Sequence, residues 1–442
     1  MSDKQYGATF FKPILPGHLE ALRALLKGIG DDIAGNPHIA FSRLESAHFM
    51  SWFIVEAKDA APLLFLEINV DGPVEDFLGD LLDQAGGGVD EIFGHCAGYP
   101  ALGSGAPDEV VQYLLRANIG YDCYYICWRG LPVKRILLER GLRVSLERFL
   151  DQQGDSMLAG MTPAAIRKML QTFVNADPTL SWAKSFPPRP FLVRYRSGVL
   201  AALAVLAGVA LLALLGSAIL SWREQGPRPD AIVVAALLAA VGGLVGVLRW
   251  HETHDSVSEA EPDHSQVQNV VNQENRVVQN HFASVADLKP GVFRWTVLKA
   301  VLKLIHVLAA VSSNQGNLSG IKSIHFARWV VIAGGKRLLF LSNYDGSWEN
   351  YLDDFIDQAS SGLTAIWSNT VGFPRTSYLV EGGARDELLF KTLVRRSQTP
   401  SLVWYSAYPD LSTANIQANA AIREGLFAPL DAAAETDWLA NF

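Results

Sequence analysis

The sequence predicts an α+β protein in which two similar halves flank a membrane-inserted segment. Two uncharged apolar runs lie in the middle of the 442-residue chain, at 198–222 and 231–248. The segments on either side resemble each other, and both alternate between strand-like and helix-like hydrophobic patterns. The charged fraction is 19%, below the value of about 25% that is usual for soluble domains. An apolar excess concentrated in two runs indicates membrane insertion.

The two halves share a segment that begins at an Asp-Gly pair. Residues 71–100 and 345–374 are identical at 12 of 30 positions, and Leu63-Leu64-Phe65-Leu66 recurs at 338–341. An internal repeat of this length is typical of a duplicated domain. We therefore expect one domain at 1–150 and a second copy of it at 279–442.

Each copy is predicted to run strand, helix, strand, strand, helix, strand. In the first copy, strands are expected at 9–14, 48–56, 63–69 and 122–128, and helices at 18–29 and 71–83. Asp71, like Asp345 in the second copy, is expected to cap the helix that follows it. The last strand, at 122–128 in the first copy and 402–407 in the second, should close its own sheet. This order is the ferredoxin-like βαββαβ unit, whose antiparallel sheet has one open face. The two tandem repeats are therefore predicted to pack sheet to sheet.

The apolar runs predict a transmembrane helical hairpin at 198–250, inserted between the repeats. The 25 residues of the first run, at about 1.5 Å each, are enough to cross a hydrocarbon core of about 30 Å. The alternative is a pair of buried core helices. Lysine and arginine residues concentrate before the first run, which favours cytoplasmic flanks. We expect a two-pass protein of a bacterial-type inner (plasma) membrane with both termini cytoplasmic.

Two connecting segments complete the predicted organisation. An amphipathic helix at 161–175, within a juxtamembrane segment at 151–197, is expected to rest on the membrane surface. Residues 251–278 form an acidic linker by composition.

Charge and cysteine content narrow the classes of partner. The 45 acidic and 37 basic residues give a net charge of −8, which argues against nucleic acid as the main partner. The lipid bilayer and further copies of the chain, as a homo-oligomer, are the expected partners. Cys96, Cys123 and Cys127 are predicted to be free thiols in the core, and no metal site is predicted.

Residues that differ between the copies are the best candidates for a site, because shared residues serve the shared fold. Arg328 replaces Ser51 inside an apolar strand, and a buried arginine requires an anionic partner. Arg375 replaces Ala101 after a Gly-x-Pro corner that both copies contain. His306 lies in an apolar helix, where a neutral imidazole can ligate haem iron or simply pack in a core or interface.

Two tandem ferredoxin-like units with packed sheets resemble the dimeric α+β barrel superfamily, which includes the chlorite dismutases and the dye-decolorizing peroxidases. The resemblance covers both flanking domains at the level of architecture. It implies haem in one copy, with His306 or His325 on the iron and Arg328 or Arg375 on the distal side. The family signature Gly-x-x-Asp-Gly is kept in part, since residues 342–346 contain its Asp and its second Gly but lack the first. His325 recurs as His48, so a hydrogen-bonded histidine that fixes the strand edge is the alternative role.

Two functions therefore stay open at the level of sequence. The first is a membrane-anchored oligomeric scaffold or small-molecule-binding module with cytoplasmic domains. The alternative is a haem-dependent peroxidase-type oxidoreductase that acts on hydrophobic or lipid hydroperoxide substrates. In the second case Arg328 and Arg375 are catalytic, and His306 and His325 bind the cofactor.

Overall fold

The fold is that of a computed structural model, which describes residues 4–57, 60–184, 202, 205, 206, 209, 229–255, 278–312, 316–318 and 320–442. The described chain is a mixture of helices and antiparallel sheets. Most of the first apolar run, the loop after it and most of the acidic linker lie outside the described residues.

The part of the first half that the structure describes contains four strands and six helices. In chain order they are β1 (Gln5–Pro13), α1 (Leu19–Asp31), β2 (Ala47–Ala57), β3 (Ala60–Asp71), α2 (Val74–Phe93), α3 (Pro107–Ala117), β4 (Cys123–Ile126), α4 (Val133–Gln153), α5 (Asp155–Leu158) and α6 (Pro163–Ala176). Three further segments, Phe41–Arg43, Gly103–Gly105 and Pro178–Lys184, form 3₁₀ turns.

Among the described residues, one long helix precedes the second half, which then repeats the alternation of strands and helices. The order is α7 (Pro229–His254), β5 (Gln279–Asp287), α8 (Val292–Ser312), β6 (Ile324–Ile332), β7 (Arg337–Asp345), α9 (Trp348–Trp367), β8 (Thr376–Ser377), β9 (Glu381–Gly382), α10 (Glu387–Ser397), β10 (Ser401–Ser406), α11 (Thr413–Phe427) and α12 (Ala432–Leu439).

The last strand of each half belongs to the sheet of the other half. The first sheet has the order β1-β3-β2-β10, and the second has the order β4-β6-β7-β5. β4 pairs antiparallel with β6, and β10 pairs antiparallel with β2. The expectation that each last strand closes its own sheet is therefore wrong. Hydrophobic alternation shows which face of a strand is buried but not which sheet edge it joins.

The exchanged strands also bring the two sheets together at their edges. Before β4 begins, residues 118–119 pair with β1. Before β10 begins, residues 398–399 pair with β5 in the same way. The two sheets therefore enclose a common interior. One end of it is apolar, with Phe53, Phe65 and Leu339 among its buried side chains.

Helices cover the outer face of each sheet. Buried residues of α1, α2 and α3 pack on the first sheet, and those of α8 and α9 pack on the second. α6 begins as predicted, with Thr162 as its cap and Pro163 in its first turn. Its apolar face is buried in a bundle with α4, α11 and α12, which includes Leu170 and Trp438. The prediction that this helix rests on a membrane is therefore wrong, because its apolar face packs on other helices.

Among the described residues, one helix is long and apolar enough to cross a membrane. It runs from Ile232 to His254, and none of its most apolar window is buried. The predicted hairpin needs a second such helix, and the run at 198–222 lies outside the described residues except for four positions. α7 also extends past the predicted span, so that His251 and His254 are helical instead of part of a linker.

Candidate functional site

A charged side chain from each half meets at the centre of the enclosed interior. Arg328 on β6 is fully buried, and its guanidinium lies 3.4 Å from the carboxylate of Glu67 on β3. It also donates hydrogen bonds to the carbonyls of Ala8 and Ile68 and to the side chain of Asn69. The predicted anionic partner of Arg328 is therefore a carboxylate of the chain itself.

His281 on β5 completes the buried group. Its Nε2 lies 2.6 Å from a Glu67 carboxylate oxygen, and its Nδ1 hydrogen-bonds with Ser401 on β10 at 2.5 Å. Burial alone raises the pKa of Glu67, but the charges of Arg328 and His281 and hydrogen bonds from His281 and Asn69 outweigh burial and lower this pKa to about 2. Glu67 is therefore ionised at neutral pH, as a buried arginine requires.

The charged group is asymmetric between the halves. Gly7 on β1 and His281 on β5 occupy equivalent positions. Each lies opposite the residue that is two positions before the aspartate at the end of the neighbouring strand. A Cβ atom on Gly7 would lie 2.8 Å from a guanidinium nitrogen of Arg328. Glycine in one half thus makes room for the arginine of the other half. His281 and Glu67 were missed at the level of sequence. By strand pairing, Leu341 opposite Arg328 has the place that Glu67 has opposite Ser51.

The recurring histidines form a second polar layer with the strand-end aspartates. His48 Nε2 lies 2.9 Å from Asp71, and His325 Nε2 lies 2.7 Å from Asp345. The other carboxylate oxygen of Asp71 accepts the Val133 N–H of α4, and that of Asp345 accepts the Thr413 N–H of α11. Both aspartates do cap helices, but these are the helices after the exchanged strands and not the helices that follow Asp71 and Asp345 in sequence.

The surroundings of the candidate haem ligands do not fit a haem group. His325 is buried beside a cavity of about 10 Å³, and its Nε2 is paired with Asp345. His306 accepts the backbone N–H of Tyr124 through Nδ1 at 3.2 Å. Burial, with Arg129 and Lys303, lowers the pKa of His306, so the imidazole is neutral. Because Nδ1 accepts the hydrogen bond, the proton of the neutral ring is on Nε2, which then has no lone pair for iron.

The two candidate arginines lie in different environments. Arg328 belongs to the buried charged group and lies against the ring of Tyr124, whose backbone N–H donates to His306. Arg375 is exposed and lies immediately before β8. The four predicted site residues therefore do not converge on one cavity.

A groove of about 1060 Å³ opens beside the exchanged strand β10. Its walls are the end of α1, the 3₁₀ turn at Phe41–Arg43, the first turns of α4, and the second half of β10 with the residues that follow it. The lining is mainly apolar and includes Ile33, Leu44, Val133, Leu137, Leu138 and Trp404. Glu45 and Lys134 are its charged residues. Drug-sized ligands occupy pockets of about 300–1,000 Å³ lined in this way.

The shape of the groove depends on a close helix–strand contact. At Gly30, a Cβ atom would lie 1.9 Å from the carbonyl oxygen of Leu402, just inside β10. Phe41 stacks on Tyr405 with ring centroids 4.9 Å apart, and burial raises the pKa of Tyr405 to about 12. Tyr405 is therefore neutral, and the floor of the groove carries no charge from it. Sequence reasoning missed this site, because its walls come from both halves.

In comparisons with family models, curated proteins and solved structures, the chain shows no significant match.

Proposed function

We propose that the chain is a membrane-anchored binding module that holds an apolar small molecule in the groove between α1, α4 and β10. The observation that carries this proposal is the groove itself, whose volume of about 1060 Å³ and apolar lining suit a ligand and not a structural role. Lys134 is the one cation of the lining and Glu45 the one acid, and we propose that an apolar molecule with a single acidic group pairs with Lys134.

Membrane anchorage is the second part of the proposal. α7 is long enough to span, and its exposed apolar side chains require an apolar solvent. We propose that the run at 198–222 forms the other arm of a two-pass hairpin, with both flanking halves in the cytoplasm.

The third part concerns the architecture that holds the groove. We propose that the halves are ferredoxin-like repeats which exchange their last strands. Asp71 in the first half and Asp345 in the second make equivalent hydrogen bonds to a histidine, which supports this proposal. Exchange gives the groove one wall from β10 of the second half and others from α1 and α4 of the first. Assembly into homo-oligomers stays a prediction.

A fluorescent fatty acid with a dansyl group tests the proposal, because it combines an apolar chain with one carboxylate. The full chain is placed in lipid nanodiscs, and empty nanodiscs give the baseline. We expect saturable fluorescence above that baseline. Ala34→Trp should abolish it, because Ala34 is exposed and lines the groove, where an indole would fill the space.

Val144→Trp is the matched control, since Val144 is an exposed residue of α4 outside the groove lining. It should bind the probe as the wild type does. Equal probe binding by all three proteins, or none by the wild type, would contradict the proposed site.

A further inference from the structure

The end of α7 is fixed to the second half by a buried carboxylate. Glu252 accepts the backbone N–H groups of Tyr378 and Leu379 at 3.0 and 2.7 Å, and it also bonds Thr376 and Arg249. Tyr378 and Leu379 have left-handed φ angles of 51° and 69°, which such residues rarely adopt. Glu252 thus holds the tip of the β8–β9 hairpin against the helix.

A second set of contacts ties α7 to the start of α8. His251 stacks on Phe293 with ring centroids 5.0 Å apart and an angle of 4°. Asp255 pairs with Lys289 at 2.8 Å and with the buried Arg294. The end of α7, the β8–β9 hairpin and the start of α8 therefore form one continuous surface.

That surface exposes large apolar side chains where α7 ends. We call this set the collar; its members, each at least 42% exposed, are Trp250, Val292, Trp295, Val371, Tyr378 and Val380. The Arg249 guanidinium lies 4.8 Å from the centre of the Tyr378 ring, so Tyr378 packs directly beside α7. Trp and Tyr are the residues that concentrate at membrane–water interfaces.

The charges around the collar favour an anionic surface. α8 contains no acidic residue, and of its three basic residues Arg294 is buried against Asp255, Lys299 pairs with Asp122 and Lys303 is exposed. Lys336 and Arg375 are exposed, Lys336 in the turn that contacts Trp295 and Arg375 before β8. Glu381 is the exposed acid on the hairpin itself.

α1, the first helix of the other half, exposes a different kind of surface. The exposed residues of α1 include Glu20, Lys27 and Asp31. Those of α8 include Val292, Trp295, Leu304, Val307 and Leu308. Of α1 and α8, only α8, which contacts α7, therefore exposes large apolar side chains.

We propose that the collar inserts into the headgroup region of the bilayer around α7, with Arg375 and Lys336 facing lipid phosphates. The proposal rests on the membrane anchorage proposed above. Continuity selects the bilayer as the occupant, because the collar lies at the end of a helix whose most apolar stretch has no buried residue. It also gives Arg375 a role in lipid contact.

Environment-sensitive labels on single cysteines test the proposal in nanodiscs of equimolar phosphatidylcholine and phosphatidylglycerol. Val380→Cys and Val292→Cys report on the collar, Val241→Cys on the middle of α7, and Leu102→Cys on an exposed apolar residue of the first half. Nitroxide lipids labelled near the headgroup should quench both collar labels several-fold more strongly than the label at 102. Replacing phosphatidylglycerol with phosphatidylcholine should weaken that quenching.

The label at 241 separates failure of this proposal from failure of membrane anchorage. If a deep nitroxide quenches the label at 241 while the collar labels are quenched no more than the label at 102, insertion of the collar is overturned and membrane anchorage is not. Absence of quenching at all four positions overturns both. A blue shift at 380 without lipid quenching assigns the collar to a protein contact, such as a second copy, and also overturns the proposal.

Discussion

Arg328 and Glu67 form a buried ion pair, 3.4 Å apart, that joins the half of the chain before α7 to the half after it. Neither residue has a charged counterpart in the other half, where Ser51 and Leu341 stand instead. A pair of this kind fixes which strand lies next to which, since a charge left alone in the interior is costly.

Arg328→Met should lower the free energy of unfolding by about 3–5 kcal/mol, because it leaves the Glu67 carboxylate buried without its main partner. Adding Glu67→Leu should recover most of that loss. Leucine is chosen because Leu341 has the equivalent position in the second half. Urea titration of the detergent-solubilised chain measures both changes. Arg23→Met serves as the control, since its pair with Glu56 is exposed and should matter little. Additive losses in the double variant would contradict the pairing.

The same pair makes the free energy of unfolding depend on pH in the acid range. The pKa of Glu67 is about 2 in the folded chain and about 4.3 when unfolded. A lowered folded-state pKa stabilises the fold above the unfolded value, and this stabilisation is lost as the pH falls from about 4.3 towards 2. The wild type should therefore lose more stability over this interval than Glu67→Gln does. Parallel pH profiles of the two proteins would show that Glu67 is not paired as described.

Two glycines of α1 offer a matched test of the groove wall. Gly30 faces the Leu402 carbonyl, whereas no atom lies within 4 Å of a Cβ on Gly28. Gly28→Ala should raise stability by about 0.5–1 kcal/mol through better helix propensity. Gly30→Ala should lower the thermal midpoint, because α1 must move away from β10. The same shift for both alanines would rule out the close contact.

A haem group should not bind at the predicted histidines. Protein purified from cells supplied with haem should show no Soret band, since Nδ1 of His306 accepts a backbone N–H and His325 lies beside a cavity of about 10 Å³. A Soret band that His306→Ala removes would refute this expectation. A band that His306→Ala leaves unchanged would point to another ligand.

The sequence predicts the mixed fold, the positions of most strands and one apolar span. It could not predict the exchange of β4 and β10, because both strands have apolar side chains that suit either sheet edge. Asp71 and Asp345 illustrate the consequence. Each was expected to cap the next helix, but exchange brings the N-termini of α4 and α11 to them instead.

The candidate site was harder to predict than the fold. Arg328 was found because a charge inside an apolar strand is conspicuous, and Glu67 carries the same signal in Leu64-Phe65-Leu66-Glu67-Ile68. The groove has no such signal. Its lining residues are mostly ordinary apolar positions of four separate segments, and only the path of the chain between the halves brings them together.

Native mass spectrometry of the chain released from nanodiscs tests the central claim most directly. The account predicts one bound small molecule per wild-type chain, lost in Ala34→Trp and kept in Val144→Trp. Its mass should be that of an apolar molecule with one acidic group. Wild-type protein without an adduct, or an adduct that Ala34→Trp leaves in place, would contradict the account.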